Sequence, residues 1–87
     1  MGRTNATYRQ HLNKFIDSLR PFRKALRSEN QVYFDKLEEQ SHSFAHAASY
    51  LNHSNPRLPA LLSMILGNRK KLGELEKRIE KIESNLE

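Results

Sequence analysis

The 87-residue chain has no cysteine, and it holds only three glycines and three prolines. Without cysteine there is no disulfide, no thiolate nucleophile and no cysteine-based zinc site, and nothing points to an oxidising compartment. The glycines are not clustered, so no phosphate-cradling loop and no nucleophile elbow is present. Long apolar runs are scarce too. The longest, Leu58 to Leu66, is too short to cross a bilayer and is interrupted by Pro59 and Ser63. The N-terminus lacks the apolar core of a signal peptide. Together these absences lead us to expect a cytoplasmic protein with no membrane segment, no enzymatic activity and no cofactor.

What the chain does have is charge, unevenly distributed. The net charge is +5. Residues 1–27 carry seven basic side chains against Asp17, or +6, and residues 28–55 set Lys36 against Glu29, Asp35, Glu38 and Glu39, or −3. Residues 56–87 carry seven bases and five acids, or +2. A basic first third beside an acidic second third fits either a nucleic-acid surface or two helices that complement each other.

Apolar residues recur at helical spacing along most of the chain. Tyr8, Leu12, Phe15, Ile16, Leu19, Phe22 and Leu26 share one face of a first helix over about 6–27, with Thr4 or Asn5 as N-cap. Pro21 falls inside it. A proline there costs roughly 3 kcal/mol, and because the apolar phase continues past it we expect a kink at Arg20-Pro21. Ser28-Glu29-Asn30-Gln31 has the form of a capping box, which predicts a second helix over 29–51. Its buried seam is expected at Phe34, Leu37, Phe44, Ala48 and Leu51, with Ser41 interrupting and Ala45 and Ala47 permitting close helix approach. His53-Ser54-Asn55-Pro56 reads as a turn, and Asn55-Pro56 or Pro59 starts a third helix over 57–86.

The third helix carries a heptad. Leu58, Ile65, Leu72, Ile79 and Leu86 occupy position a, and Leu61, Leu75 and Ile82 occupy d, with Asn68 the polar exception. Lys71 and Arg78 fall at g, Glu76 and Glu83 at e. In a parallel, in-register pair Lys71 meets Glu76 and Arg78 meets Glu83, and both pairings attract. Gly67 and Gly73 each cost a helix interior roughly 1 kcal/mol relative to alanine, and Leu66-Gly67-Asn68 could equally be a helix stop. The order of core residues leaves the strand number open, and the stripe could instead pack within its own chain. At this length a lone core stabilises only marginally, which favours association. The expected fold is all-α: a three-helix bundle or helical hairpin with a long C-terminal coiled-coil helix. The expected state is a homo-oligomer, a dimer favoured, joined through Leu58, Leu61, Ile65, Asn68, Leu72, Leu75, Ile79 and Ile82.

Two clusters of side chains suggest chemistry. His42 and His46 sit one helical turn apart, with His53, Glu38 or Glu39 as further ligands, but the intervening residues lack the glutamate of a zinc-protease helix, and no metal is expected. The basic residues Arg20, Arg23, Lys24 and Arg27 line one side of the first helix, and Arg69, Lys70 and Lys71 form a second cluster. These are candidate contacts for nucleic acid or an acidic protein surface. The plainer alternative pairs the first group with Asp35, Glu38 and Glu39 on the neighbouring helix. Phe15, Phe22, Phe34 and Phe44 are expected in the core, Tyr33 and Tyr50 at the surface.

The opening Met1-Gly2-Arg3-Thr4-Asn5-Ala6-Thr7-Tyr8-Arg9, the Pro21-Phe22-Arg23 step, Phe34-Asp35-Lys36-Leu37, His46 to Asn52 and Leu61 to Leu66 resemble a family of short archaeal proteins of unknown function. The resemblance extends to about Leu75. It implies an archaeal cytoplasmic origin and a small helical protein with no assigned activity, so no functional residue carries over. It does draw attention to Arg3, Thr4, Asn5, Thr7 and Tyr8, either as a contact surface or as an N-terminal cap.

Overall fold

The computed structural model describes residues 2–52 and 55–86, with side chains at 8–51 and 55–86, and the described residues form helices with no strand. In chain order these are α1 (Gly2–Ser18), α2 (Arg20–Ala25), α3 (Ser28–Ser43), α4 (Ala45–Asn52) and α5 (Arg57–Leu86). The fold is all-α with one long C-terminal helix. Thr4 and Asn5 lie within α1 rather than capping it, and their side chains, like those of Arg3 and Thr7, lie outside the described residues. So do His53 and Ser54 of the expected turn.

Where the sequence suggests one helix bent at Pro21, the chain forms two. Leu19 (φ −90, ψ 0) ends α1, and Pro21 sits in the first turn of α2, where its missing N–H would have had no helical partner. The Leu19 amide donates to the Ile16 carbonyl at 3.0 Å and the Leu19 carbonyl accepts from the Arg23 amide at 3.1 Å, so the break leaves little backbone unpaired. Restarting the helix avoids the clash that an internal proline would cause.

The link from α2 to α3 is extended at Leu26 and Arg27 (ψ 150 and 151). The capping box does not form. Ser28 is already helical, and Arg27 is the N-cap, with no side-chain cap bond. Gln31 reaches backwards all the same. Its Nε2 donates to the carbonyls of Arg23 (3.1 Å) and Leu26 (3.3 Å), satisfying the exposed end of α2.

The expected second helix is also divided, at Phe44 (φ −112, ψ 24). Just ahead of the division the Ser41 and Ser43 hydroxyls donate to the Glu38 and Glu39 carbonyls at 2.6 and 3.2 Å, local bonds that compete with helical geometry. Helix α5 starts cleanly. The Pro56 carbonyl accepts the Ala60 amide at 2.8 Å, Asn55 Oδ1 accepts the Arg57 amide at 3.4 Å, and Pro59 lies in the first turn.

The core joins Tyr8, Leu12 and Ile16 of α1 to Ala45 and Ala48 of α4 and to Ala60 and Met64 of α5, with Phe15, Leu19 and Leu37 packed around them. Tyr8 is therefore a core residue, not part of a contact surface. The alanines let α1, α4 and α5 approach closely, and each large side chain buried among them contributes roughly 1.5–3 kcal/mol. Phe22 and Leu51, both expected on buried faces, are exposed, and Phe44 is only half-buried. Phe22 is 59 % exposed because α2 turns it onto the edge of Phe34, with ring centres 6.0 Å apart. Leu51 is on the rim because α4 turns Ala45, Ala48 and Ser49 inward.

The radius of gyration is 16.1 Å, against about 12 Å for a compact domain of this length. The excess is α5. Its 30 residues span about 45 Å, and every residue from 74 to 86 is exposed. The first part of the helix is a wall of the bundle and the rest is an arm.

Candidate interaction surface

Helix α5 carries two apolar faces. Pro59, Ala60, Ser63, Met64 and Gly67 are buried and form the contact with the bundle. At about 100° per residue their centre lies roughly 160° around the helix from that of Leu58, Leu61 and Ile65. These outward residues, with Leu72, Leu75, Ile79 and Ile82, are from 49 % (Leu61) to 68 % (Leu58) exposed. Among the described residues, then, the apolar positions of the heptad lie largely open to solvent.

Gly67 explains why α5 continues where a stop was conceivable. A Cβ at that position would run into Gln40 Nε2 of α3, with Gln40 Cδ and Cγ at 2.9 Å. Glycine leaves room for the Gln40 side chain to lie against α5, and α5 accepts its low helix propensity there. Gln40 Nε2 donates to the Met64 carbonyl at 3.4 Å and to Asn68 Oδ1 at 3.0 Å. Asn68, at the one polar core position of the heptad, is thus turned toward α3.

Charges along the arm are loosely held. Arg69 meets Glu76 at 3.3 Å and Lys71 meets Glu74 at 3.9 Å, all four well exposed. Exposed pairs of this kind contribute little. Lys70 is exposed.

The basic stripe on α2 divides into two halves. Arg20 grips Glu38 with both terminal nitrogens (3.1 and 3.2 Å) and approaches Asp17 at 3.8 Å. Arg23 grips Asp35 through Nε and Nη2 (2.8 and 2.9 Å). The paired forks lock α2 antiparallel to α3, since residues 20 and 23 meet 38 and 35 in reverse order. The hydrogen bond from Arg23 holds the Asp35 carboxyl below its ordinary range, and the Arg23 guanidinium is raised in return. Lys24 and Arg27 are exposed and have no carboxylate partner among the described residues.

Between α2, α3 and α5 lies a groove of about 720 Å³, with Phe22, Leu26, Tyr33, Phe34 and Leu37 on the α2–α3 side and Asn68 and Lys71 on the α5 side. A shallower apolar groove separates α4 from α5, between Phe44, Ala47 and Leu51 on one side and Leu62 and Leu66 on the other. The spacing of the apolar residues did not reveal the first groove.

His46 rests edge-on against Tyr50, ring centres 5.4 Å apart. Among the described residues no group of three histidines or carboxylates is placed to hold a metal ion, and His53 lies outside them. No described helix is long and apolar enough to cross a membrane. Comparison with curated proteins and with solved structures finds no match. A family model described as a domain of unknown function (DUF8156) matches residues 1–87, and the chain belongs to that family.

Proposed function

We propose that this protein is a non-enzymatic helical interaction module of the cytoplasm, archaeal in origin, that dimerises through Leu58, Leu61, Ile65, Leu72, Leu75, Ile79 and Ile82, with Asn68 as the polar break. It also offers the basic side of α2 to an acidic partner. The observation that carries the reading is the arm: a heptad face exposed on a helix with no other element beside it. A lone helix of this length is marginal in water, and exposed leucine and isoleucine stripes call for a cover. A second copy fits that role. In a parallel pair Lys71 and Arg78 of one chain meet Glu76 and Glu83 of the other, and such charges set orientation more than they add stability.

Light scattering tests this. The wild-type chain should run at twice its 10.2 kDa mass, and Leu75→Asp with Ile79→Asp should run at the single-chain mass. A wild-type protein that stays monomeric at every concentration refutes the reading. The second reading is sequence-independent nucleic-acid binding, which draws on Lys24, Arg27, Arg69, Lys70 and Lys71, all exposed. It ends if no DNA or RNA is retained in gel shifts at low ionic strength.

A further inference from the structure

We propose that the groove between α2, α3 and α5 is occupied by α5 of a second copy, so that the dimer interface runs beyond the heptad onto Phe22 and Tyr33. The inference rests on the self-association reading and names a part of the interface that a bare coiled coil would not have. Three observations support it. First, the α5 wall of the groove is Asn68 and Lys71, the d and g positions of the heptad, so the groove opens onto the edge of the seam itself. A helix packed on Leu72 and Leu75 at the usual interaxial distance of about 8–10 Å lies beside that opening.

Second, the opposite wall presents apolar surface that the chain leaves uncovered. Phe22 is 59 % and Tyr33 66 % exposed, although both belong to a groove with defined walls rather than to a flat face. Large exposed aromatics in a concave site are the usual anchors of protein interfaces.

Third, the charges match. In the parallel arrangement the g edge bearing Lys71 faces the e edge of the second copy, which carries Arg69 and Glu76. Glu76 of the second copy meets Lys71 at the mouth of the groove, while by the same register Arg69 of the second copy falls opposite Met64. Within one chain Lys71 meets Glu74 and Arg69 meets Glu76 in exposed pairs, which are easily exchanged.

Sedimentation equilibrium on the full chain separates this inference from the reading beneath it. Tyr33→Asp and Phe22→Ser alter side chains on α3 and α2, away from the heptad, and both positions are exposed enough for the monomer to stay folded. Each should weaken the dimer by about tenfold or more, whereas Tyr50→Asp on α4, at a tyrosine still more exposed, should leave it unchanged. A second measurement does not depend on weakening. The chain has no tryptophan, so Tyr33→Trp provides a single reporter whose emission should shift to the blue as the dimer forms. Suppose that Leu75→Asp with Ile79→Asp dissociates the protein, but the Tyr33→Asp and Phe22→Ser variants dimerise like wild type and the indole emission of Tyr33→Trp is constant across the transition. The groove is then open in the dimer and the inference falls, while the seam stands. If the heptad variant keeps the dimer mass, both fall.

Discussion

Replacing Gly67 and Gly73 separately by alanine subjects one helix to the same chemical change in two opposite settings. Alanine is favoured over glycine in a helix interior by about 1 kcal/mol, so an unopposed exchange stabilises by about that much. Gly73 meets that condition, because a Cβ there has no neighbour within 4 Å. At Gly67 the new methyl displaces the Gln40 amide, which loses its bonds to Asn68 Oδ1 (3.0 Å) and the Met64 carbonyl (3.4 Å). The Gln40 side chain is flexible and can swing aside, so the cost is chiefly two hydrogen bonds at roughly 0.5–1.5 kcal/mol each, the longer at the low end, set against the gain in propensity. The net effect should lie between neutral and a loss of about 1 kcal/mol. For a chain of this size each kcal/mol moves the melting temperature by about 4–8 °C, so Gly73→Ala should melt above wild type and Gly67→Ala at or below it. The assay is thermal and urea unfolding followed by circular dichroism, with all proteins at one concentration because association contributes to apparent stability. Gln40→Ala should rescue Gly67→Ala and do nothing for Gly73→Ala. Equal stabilisation by both alanines would refute the idea that α3 and α5 meet at Gly67.

Two further outcomes follow from buried and paired polar groups. The Tyr8 hydroxyl is buried without a hydrogen-bond partner among the described residues, and burial raises its pKa; Tyr8→Phe should therefore keep the fold and raise stability by about 1 kcal/mol, seen as a higher urea midpoint, and a loss of stability would show that the hydroxyl is needed. Asp35 has a folded pKa below its ordinary 3.8, so its pairing with Arg23 stabilises the protein in full above the unfolded value and is lost as pH falls through the folded one. Acid titration of stability should show this limb in wild type and a shallower one in Asp35→Asn, and identical acid limbs would remove the pair from the account.

Much of the third helix could be read from the amino-acid order, because a seven-residue repeat of leucine and isoleucine is a long-range signal that local accidents do not erase. The same stretch carried a second signal in the spacing of Ala60, Ser63, Met64 and Gly67, small residues that mark the face turned to the bundle. The breaks at Leu19 and Phe44 were harder to foresee. A proline at position 21 is compatible with a bent helix or a restarted one, and which occurs depends on where Phe22 and the α2–α3 link come to rest. The capping-box pattern misled for a similar reason: the end of α2 offered Gln31 two carbonyls, a partner that exists only once the helices have folded together. The arginine stripe was legible as charge but not as function, because spacing alone does not say whether carboxylates lie opposite. Here Asp35 and Glu38 repeat the three-residue interval of Arg20 and Arg23 in reverse, a correspondence that specifies an antiparallel hairpin. The α2–α3–α5 groove required the relative placement of three helices, which no periodicity supplies.

The division of α5 into wall and arm makes its length adjustable in a quantised way. Seven residues inserted beyond Glu74 would lengthen the rod by about 10 Å and return every later side chain to nearly its former azimuth, whereas an insertion of five would swing the distal stripe through roughly 140°. Because no described residue of the same chain packs along that stretch, the bundle at its root would register neither change. The rod is thus free to be tuned in reach and bearing while the globular end keeps its shape.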